Sequence, residues 1–214
     1  MGIERLAVQT SGGDQLTYTN LDAGEYEARL IYVADLGLQN RQPFKGEEKK
    51  PCQQITLCFE VLGSTVEING EVKPRTLWMN PTNIFSSMGS MGNELPLYRA
   101  FVPSAKEDSV PNWEEQLGKP VTLNITHNVS NGRTFDKIAS VAAIPLKYQD
   151  KVAQAITTDF SVGGCEELDS PAIQNLRGFL KTNHENRITK SGSSVVAQPV
   201  SEHEEFEMNE SVPF

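Results

Sequence analysis

Gly24-Glu25-Tyr26-Glu27-Ala28-Arg29-Leu30-Ile31-Tyr32 and Gln53-Gln54-Ile55-Thr56-Leu57-Cys58-Phe59-Glu60-Val61-Leu62 decide the fold. In the first, Tyr26, Ala28, Leu30 and Tyr32 alternate with Glu25, Glu27, Arg29 and Ile31, entered from the turn signal Asp22-Ala23-Gly24. A period of two marks a strand with one apolar face. In the second, Ile55, Leu57, Phe59 and Val61 share a face. Between them, residues 37 to 51 read as a polar loop containing Arg41, Lys45, Lys49 and Lys50.

Working outward, Val66-Glu67-Ile68 meets Asn69-Gly70 and Glu71-Val72, the signature of a tight hairpin. Arg75 to Met79 reads as a further strand, stopped by Asn80-Pro81. Residues 82 to 103 are irregular and Gly-containing, with a short helix around Leu95 to Phe101, and Trp113 to Leu117 reads as another short helix or turn. Pro120 to His127 alternates cleanly, Asn131-Gly132 turns the chain, and Arg133 to Val141 returns. Five or six such strands around one irregular connection predict a mainly β fold: a five-stranded barrel of the OB type, with a sandwich as the alternative.

The expected organisation has four parts: an N-terminal arm (1–19), the barrel (20–145), a helical extension (146–190), and a flexible linker with an acidic tail (191–214). In the extension, Ser170 and Pro171 suit the N-cap and first position of a helix running to Lys181. Its stripe of Ile173, Leu176, Phe179 and Leu180 is expected to pack on the barrel or join subunits of a homo-oligomer.

The chain has 28 acidic against 19 basic residues and a net charge of −9. From Ser201 onward the acids are Glu202, Glu204, Glu205, Glu207 and Glu210, with no Lys or Arg. Such a segment buries too little apolar surface to order itself. Without these acids the remainder carries about −4, so nucleic-acid binding requires local clusters of cations. The last three residues, Val212, Pro213 and Phe214, form an apolar tip with a terminal carboxylate, suited to a partner pocket with a basic rim. No run of about 18 apolar residues exists, so no membrane span is expected. Cys52, Cys58 and Cys165 form no Cys-x-x-Cys pair and are expected to be reduced thiols, and no zinc site or other cofactor is expected.

Phosphate-binding Gly-rich loops, His-Glu-x-x-His and Gly-x-Ser-x-Gly are all missing, so no enzymatic activity is expected. A metal-dependent nuclease built on Asp35, Glu60 and Asp136 is the enzymatic alternative. The barrel does offer aromatics interleaved with cations: Arg29 with Tyr32, Phe44 with Lys45, Arg75 with Trp78, Tyr98-Arg99-Ala100-Phe101, and Arg133-Thr134-Phe135-Asp136-Lys137. Single strands need this pairing, because bases stack on aromatic faces at about 1–3 kcal/mol each while cations follow the phosphates. The candidate DNA contacts are therefore Arg29, Tyr32, Lys45, Lys49, Lys50, Arg75, Trp78, Arg99, Arg133, Phe135 and Lys137, with Trp78 the leading stacking residue. The candidate partner contacts are Glu207, Glu210, Val212, Pro213 and Phe214.

The tip Glu210-Ser211-Val212-Pro213-Phe214 resembles the acidic ends, closing on Ile-Pro-Phe or a variant, of bacterial and phage single-stranded-DNA-binding proteins. Gly24 to Ile31, Asp35-Leu36-Gly37, Cys52 to Glu60, Leu117-Gly118-Lys119-Pro120 and Ile138 to Val141 are similar in order to elements of the phage group. The resemblance implies an OB-fold that binds single strands without sequence preference during phage DNA replication, recombination and repair. It implies a tail that recruits replication proteins, and a place in the cytoplasm of an infected bacterial host. The rival reading is a phage structural or adaptor protein whose barrel serves only as an assembly module.

Overall fold

A computed structural model of the chain describes residues 16–17, 19–68, 70–85, 94–130 and 132–189. One sheet contains β1 (Leu16–Thr17), β2 (Gly24–Phe44), β3 (Glu47–Ile68), β4 (Glu71–Trp78), β5 (Thr82–Ile84), β6 (Pro120–Ser130), β7 (Arg133–Ala143) and β8 (Ser161–Gly163). Helices α1 (Glu94–Arg99), α2 (Leu146–Gln149), α3 (Pro171–Gln174) and α4 (Gly178–Glu185) and a 3-10 turn at Glu114–Gln116 decorate it. The backbone order is β1-β3-β2-β6-β7, with β4 and β5 also on β3 and β8 on β2. β1 to β7 pair antiparallel, and β8 lies parallel to β2.

The alternating residues build the interior as their pattern requires. Ala28, Leu30, Leu57, Phe59, Val61, Val121, Leu123 and Ile125 are buried together, and Leu97, Ala100 and Phe101 from α1 and its exit close one side. Phe59 lies parallel to Phe101 at 6.5 Å between ring centroids. Each fully buried side chain of this size contributes about 1.5–3 kcal/mol, and Phe59→Ala would cost about 3–5 kcal/mol.

The alternation of the first strand does not continue through Tyr32. A bulge between Leu30 and Tyr32 lets Leu30 oppose Phe59 and Tyr32 oppose Cys58. An extra residue in one strand reverses the side-chain parity beyond it. Tyr32 therefore leaves the inner core and joins Ile31, Ala34, Leu36 and Cys58 in a second cluster on the outer face. Ala172, Ile173, Leu176 and Leu180 of the extension cover that cluster.

The stretch expected as a polar loop is a hairpin. β2 and β3 run 21 and 22 residues and stay paired out to Phe44 opposite Glu47. From Asn40 to Pro51 neither face is buried, so no apolar alternation marks the strands, and the cross-strand bonds alone satisfy the backbone. The tip is a two-residue turn, Lys45-Gly46, with φ of 52° and 78°. Both values suit the tight turn whose twist matches paired strands. The other two hairpins follow their Asn-Gly signals, with Ile68 opposite Glu71 and Ser130 opposite Arg133.

The extension departs from one continuous helix over 170–181. Gly178 adopts φ +53° and Arg177 is extended, which divides it into α3 and α4. The extension also gives β8 to the sheet, and Ile188 bridges to Leu38.

Among the described residues no backbone pairing joins β4 to β7. Side chains span that seam. Arg75 Nη1 lies 3.2 Å from Asp136 Oδ2, and Arg75 Nη2 donates to the Thr19 carbonyl at 2.6 Å. The Asp136 carboxylate also accepts from the Leu21 amide at 3.1 Å, and its side chain is fully buried.

Candidate nucleic-acid interface

Among the described residues, the hairpin of β2 and β3 gathers three cations against two rings. Arg41 opposes Lys49 directly across the strands. Directly opposed like charges repel, and this pair faces two rings. The Arg41 guanidinium lies 5.4 Å from the Phe85 ring centroid, and the Lys45 and Lys49 ammoniums lie 5.4 and 5.6 Å from that of Phe44. Phe44 is 59% exposed at the tip. Glu47, 3.3 Å from Lys49, offsets part of this charge in an exposed pair worth little. Lys45 itself holds a left-handed backbone that favours Gly or Asn. Lys50 is exposed beside it.

Between this hairpin and a cleft the outer side of β3 is largely covered, with Cys52, Thr56 and Cys58 buried. Cys52, Gln54, Thr56 and Cys58 alternate onto one side of the strand, with Cys58 opposite Trp78 of β4. Trp78 stacks on Tyr32 at 6.3 Å and 20°. The cleft beside it, about 340 Å³, is lined by Trp78, Lys73, Thr157, Asp159 and Arg177 among others. Six residues of strand separate Cys58 from Cys52, about 20 Å of rise. The stretch between carries polar groups: Thr56 Oγ1 donates to the Met79 carbonyl, and Gln54 Nε2 donates to Asn83 Oδ1. At its far end Cys52 meets the Ile84 carbonyl at 3.0 Å, next to Phe85.

Several expected contacts belong elsewhere. Arg29 is 6% exposed, and its guanidinium donates to the carbonyls of Ala153, Gly118 and Val152. Burial lowers its pKa from the usual arginine value. It braces two loops and leaves the set of surface contacts. Arg75, 5% exposed, leaves that set for the seam. Tyr32, 6% exposed, supports Trp78 from beneath while its hydroxyl donates to Asp159 Oδ1 at 2.9 Å. Burial and the neighbouring Asp159 raise its phenol pKa far above the ordinary value.

Lys45, Lys49 and Lys50 lie at the hairpin, and Trp78 beside the cleft. Arg133 and Phe135 are exposed next to the β6–β7 turn, and Lys137 lines a separate cleft of about 410 Å³ between β7, Pro96 and Met79 to Thr82. Arg99 is exposed and donates to the Ala105 carbonyl. Arg41, Lys73, Phe85 and Arg177 were missing from the expected contacts. The pair Lys45-Gly46 was the signal for Arg41 and its cross-strand partner, because a turn there forces Arg41 opposite Lys49. Nothing local in the sequence marks Arg177 or Phe85.

The three carboxylates of the enzymatic alternative have separate structural tasks. Asp35 accepts from the Gly37 amide and from Gln53, Glu60 accepts from the amides of Ile156 and Thr157, and Asp136 holds the seam. Among the described residues no cluster of three or more His, Cys, Asp or Glu is placed to hold a metal ion. Burial raises the thiol pKa of Cys52, Cys58 and Cys165, and all three are free. The partner contacts Glu207, Glu210, Val212, Pro213 and Phe214 lie outside the described residues. No family model matches the chain, and no curated protein matches it.

Proposed function

We propose that this protein binds single-stranded DNA without sequence preference on an OB-type barrel. The five long strands β2, β3, β4, β6 and β7 correspond in this reading to barrel strands one to five, with α1 in the connection from third to fourth and the Arg75–Asp136 pair closing the seam. OB-type domains bind oligonucleotides on strands two and three and on the loops joining strands one–two and four–five. Here those are β3 and β4, the long hairpin, and the turn carrying Arg133 and Phe135. The observation that carries the reading is the group of cations and rings at the hairpin, where Arg41, Lys45 and Lys49 lie against Phe85 and the exposed Phe44, with the partly exposed Trp78 beside a cleft that holds Lys73 and Arg177. Rings stack on any base and cations follow the phosphates, which gives affinity without sequence.

The tail reading rests on the resemblance of Glu210 to Phe214 and on the acids that precede it. Ile188 donates to the Leu38 carbonyl at the root of the hairpin. In this proposal the tail competes with DNA at low salt, and its apolar tip recruits replication or recombination proteins in an infected bacterium.

Tryptophan emission tests the proposal. The chain has two tryptophans, and Trp113 packs edge-on against Tyr98 and Phe101. Quenching on adding an oligothymidylate should therefore report Trp78, and Trp78→Leu should abolish the quenching and weaken binding by about 1–3 kcal/mol. Binding with unchanged Trp78 emission would remove the cleft from the interface.

A further inference from the structure

Among the described residues, one place outside the hairpin puts two lysines on a single ring. Lys147 and Lys151 hold their ammoniums 4.7 and 5.6 Å from the centroid of Tyr148 on and beside α2. Tyr148 is 45% exposed. Among the described residues neither lysine has an ion-pair partner, in a chain whose acids outnumber its bases by 28 to 19. Two ammoniums held against one exposed ring draw an anion to it. The arrangement repeats the tip of the hairpin, where Lys45 and Lys49 share Phe44.

The chain beyond α2 leads from this cluster to the Trp78 cleft and is pinned to the outer face on the way. The Arg29 guanidinium holds the carbonyls of Val152 and Ala153. The Glu60 carboxylate holds the amides of Ile156 and Thr157 at 2.6 and 2.9 Å. Tyr32 holds Asp159, which lines the cleft. Ile156, also in the cleft lining, is eight residues from Tyr148, so the two lie at most about 29 Å apart.

We propose that Lys147, Tyr148 and Lys151 form a second contact for single-stranded DNA, in which the two ammoniums bind phosphates and the ring stacks a base. The strand then runs from the Trp78 cleft on to α2, with the hairpin as a further contact. This inference rests on the DNA-binding reading above.

The test uses the full chain and oligothymidylates from about 4 to about 16 nucleotides, the range of site sizes for one OB-type domain. The wild type should gain affinity in a step once the oligonucleotide is long enough to reach α2. Lys147→Ala/Lys151→Ala should lose that step, and with the longest oligonucleotide its slope of log affinity against log salt should fall by about 1.4, from about 0.7 per phosphate contact on single strands. The variant should bind the shortest oligonucleotides as the wild type does. A hairpin variant, Lys45→Ala/Lys49→Ala, should weaken binding at every length. An unchanged slope and length profile in the α2 variant, with the hairpin variant impaired, overturns the α2 contact and leaves the DNA-binding reading standing. Weakening of the α2 variant equally at all lengths also overturns it. No binding by the wild type overturns both. Circular dichroism and the urea midpoint should match the wild type, because both lysines sit on the surface.

Discussion

Replacing the buried Arg75–Asp136 ion pair between β4 and β7 gives a double-mutant cycle that measures how much this contact holds the two strands together. The Asp136 side chain is 0% exposed and that of Arg75 6%. Removing one partner of a buried pair leaves an uncompensated charge and costs about 3–5 kcal/mol. In Arg75→Met the Asp136 carboxylate keeps the Leu21 amide at 3.1 Å, with His127 Nε2 3.8 Å away, so the loss should fall near the lower end, about 3 kcal/mol. In Asp136→Leu the guanidinium keeps the Thr19 carbonyl at 2.6 Å but loses its counter-charge, and the Leu21 amide loses its acceptor. That loss should approach about 5 kcal/mol. The double variant Arg75→Met/Asp136→Leu replaces the pair with apolar groups, often neutral or stabilising, and leaves the Leu21 amide unpaired at about 1–3 kcal/mol. The single losses would add to about 8 kcal/mol, so the double variant should be more stable than additivity predicts by about 5 kcal/mol or more. Urea denaturation followed by circular dichroism measures all four proteins, with unchanged m-values confirming the same cooperative unit. Additive losses, or single losses below about 1 kcal/mol, would mean the pair is solvated and the seam is held by something else.

The turn residue Lys45 should trade stability for function. Lys45→Asn suits the left-handed backbone at φ 52° better and should raise the urea midpoint while weakening oligonucleotide binding at low salt; a loss in both properties would contradict the trade. Removing residues 201–214 should tighten binding at low salt and change it little at high salt, where the tail is already screened; equal or weaker low-salt binding would count against tail competition.

Glu94 supplies a pH-dependent case. Burial raises its carboxyl pKa above the ordinary 4.5, against an opposing hydrogen bond with Trp113. A folded pKa above the unfolded one makes its contribution most favourable below the ordinary value and diminishes it as pH rises through the folded pKa. Glu94→Gln should therefore gain stability relative to the wild type at neutral pH, with the difference shrinking below pH 4.5; a pH-independent difference in melting temperature would refute this.

The alternating run Ile55, Leu57, Phe59 and Val61 was legible because one buried face imposes a period of two. The Asn-Gly turns were legible because few residue pairs accept a positive φ. Tyr32 was misplaced because a bulge reverses parity and leaves no compositional trace. The hairpin at residues 37–51 read as a loop because from Asn40 to Pro51 its strands bury no face. Arg29 and Arg75 read as DNA contacts because a sequence shows an arginine next to an aromatic and not the carbonyls of Ala153 or Thr19 far along the chain. Arg177 and Phe85 enter the candidate site through tertiary placement alone, whereas Trp78, Lys45 and Lys49 were visible as ring-and-cation neighbours.

Titrating a fluorescent oligothymidylate with the full chain across a salt series, with a duplex of the same length as control, decides whether the protein binds single strands. The account predicts tight binding to the single strand that falls linearly in log affinity with log salt, weaker binding to the duplex, and a shallower slope in Arg41→Ala/Lys45→Ala/Lys49→Ala by about 2, from about 0.7 per phosphate contact. Salt-independent binding, or no preference for the single strand, would contradict it.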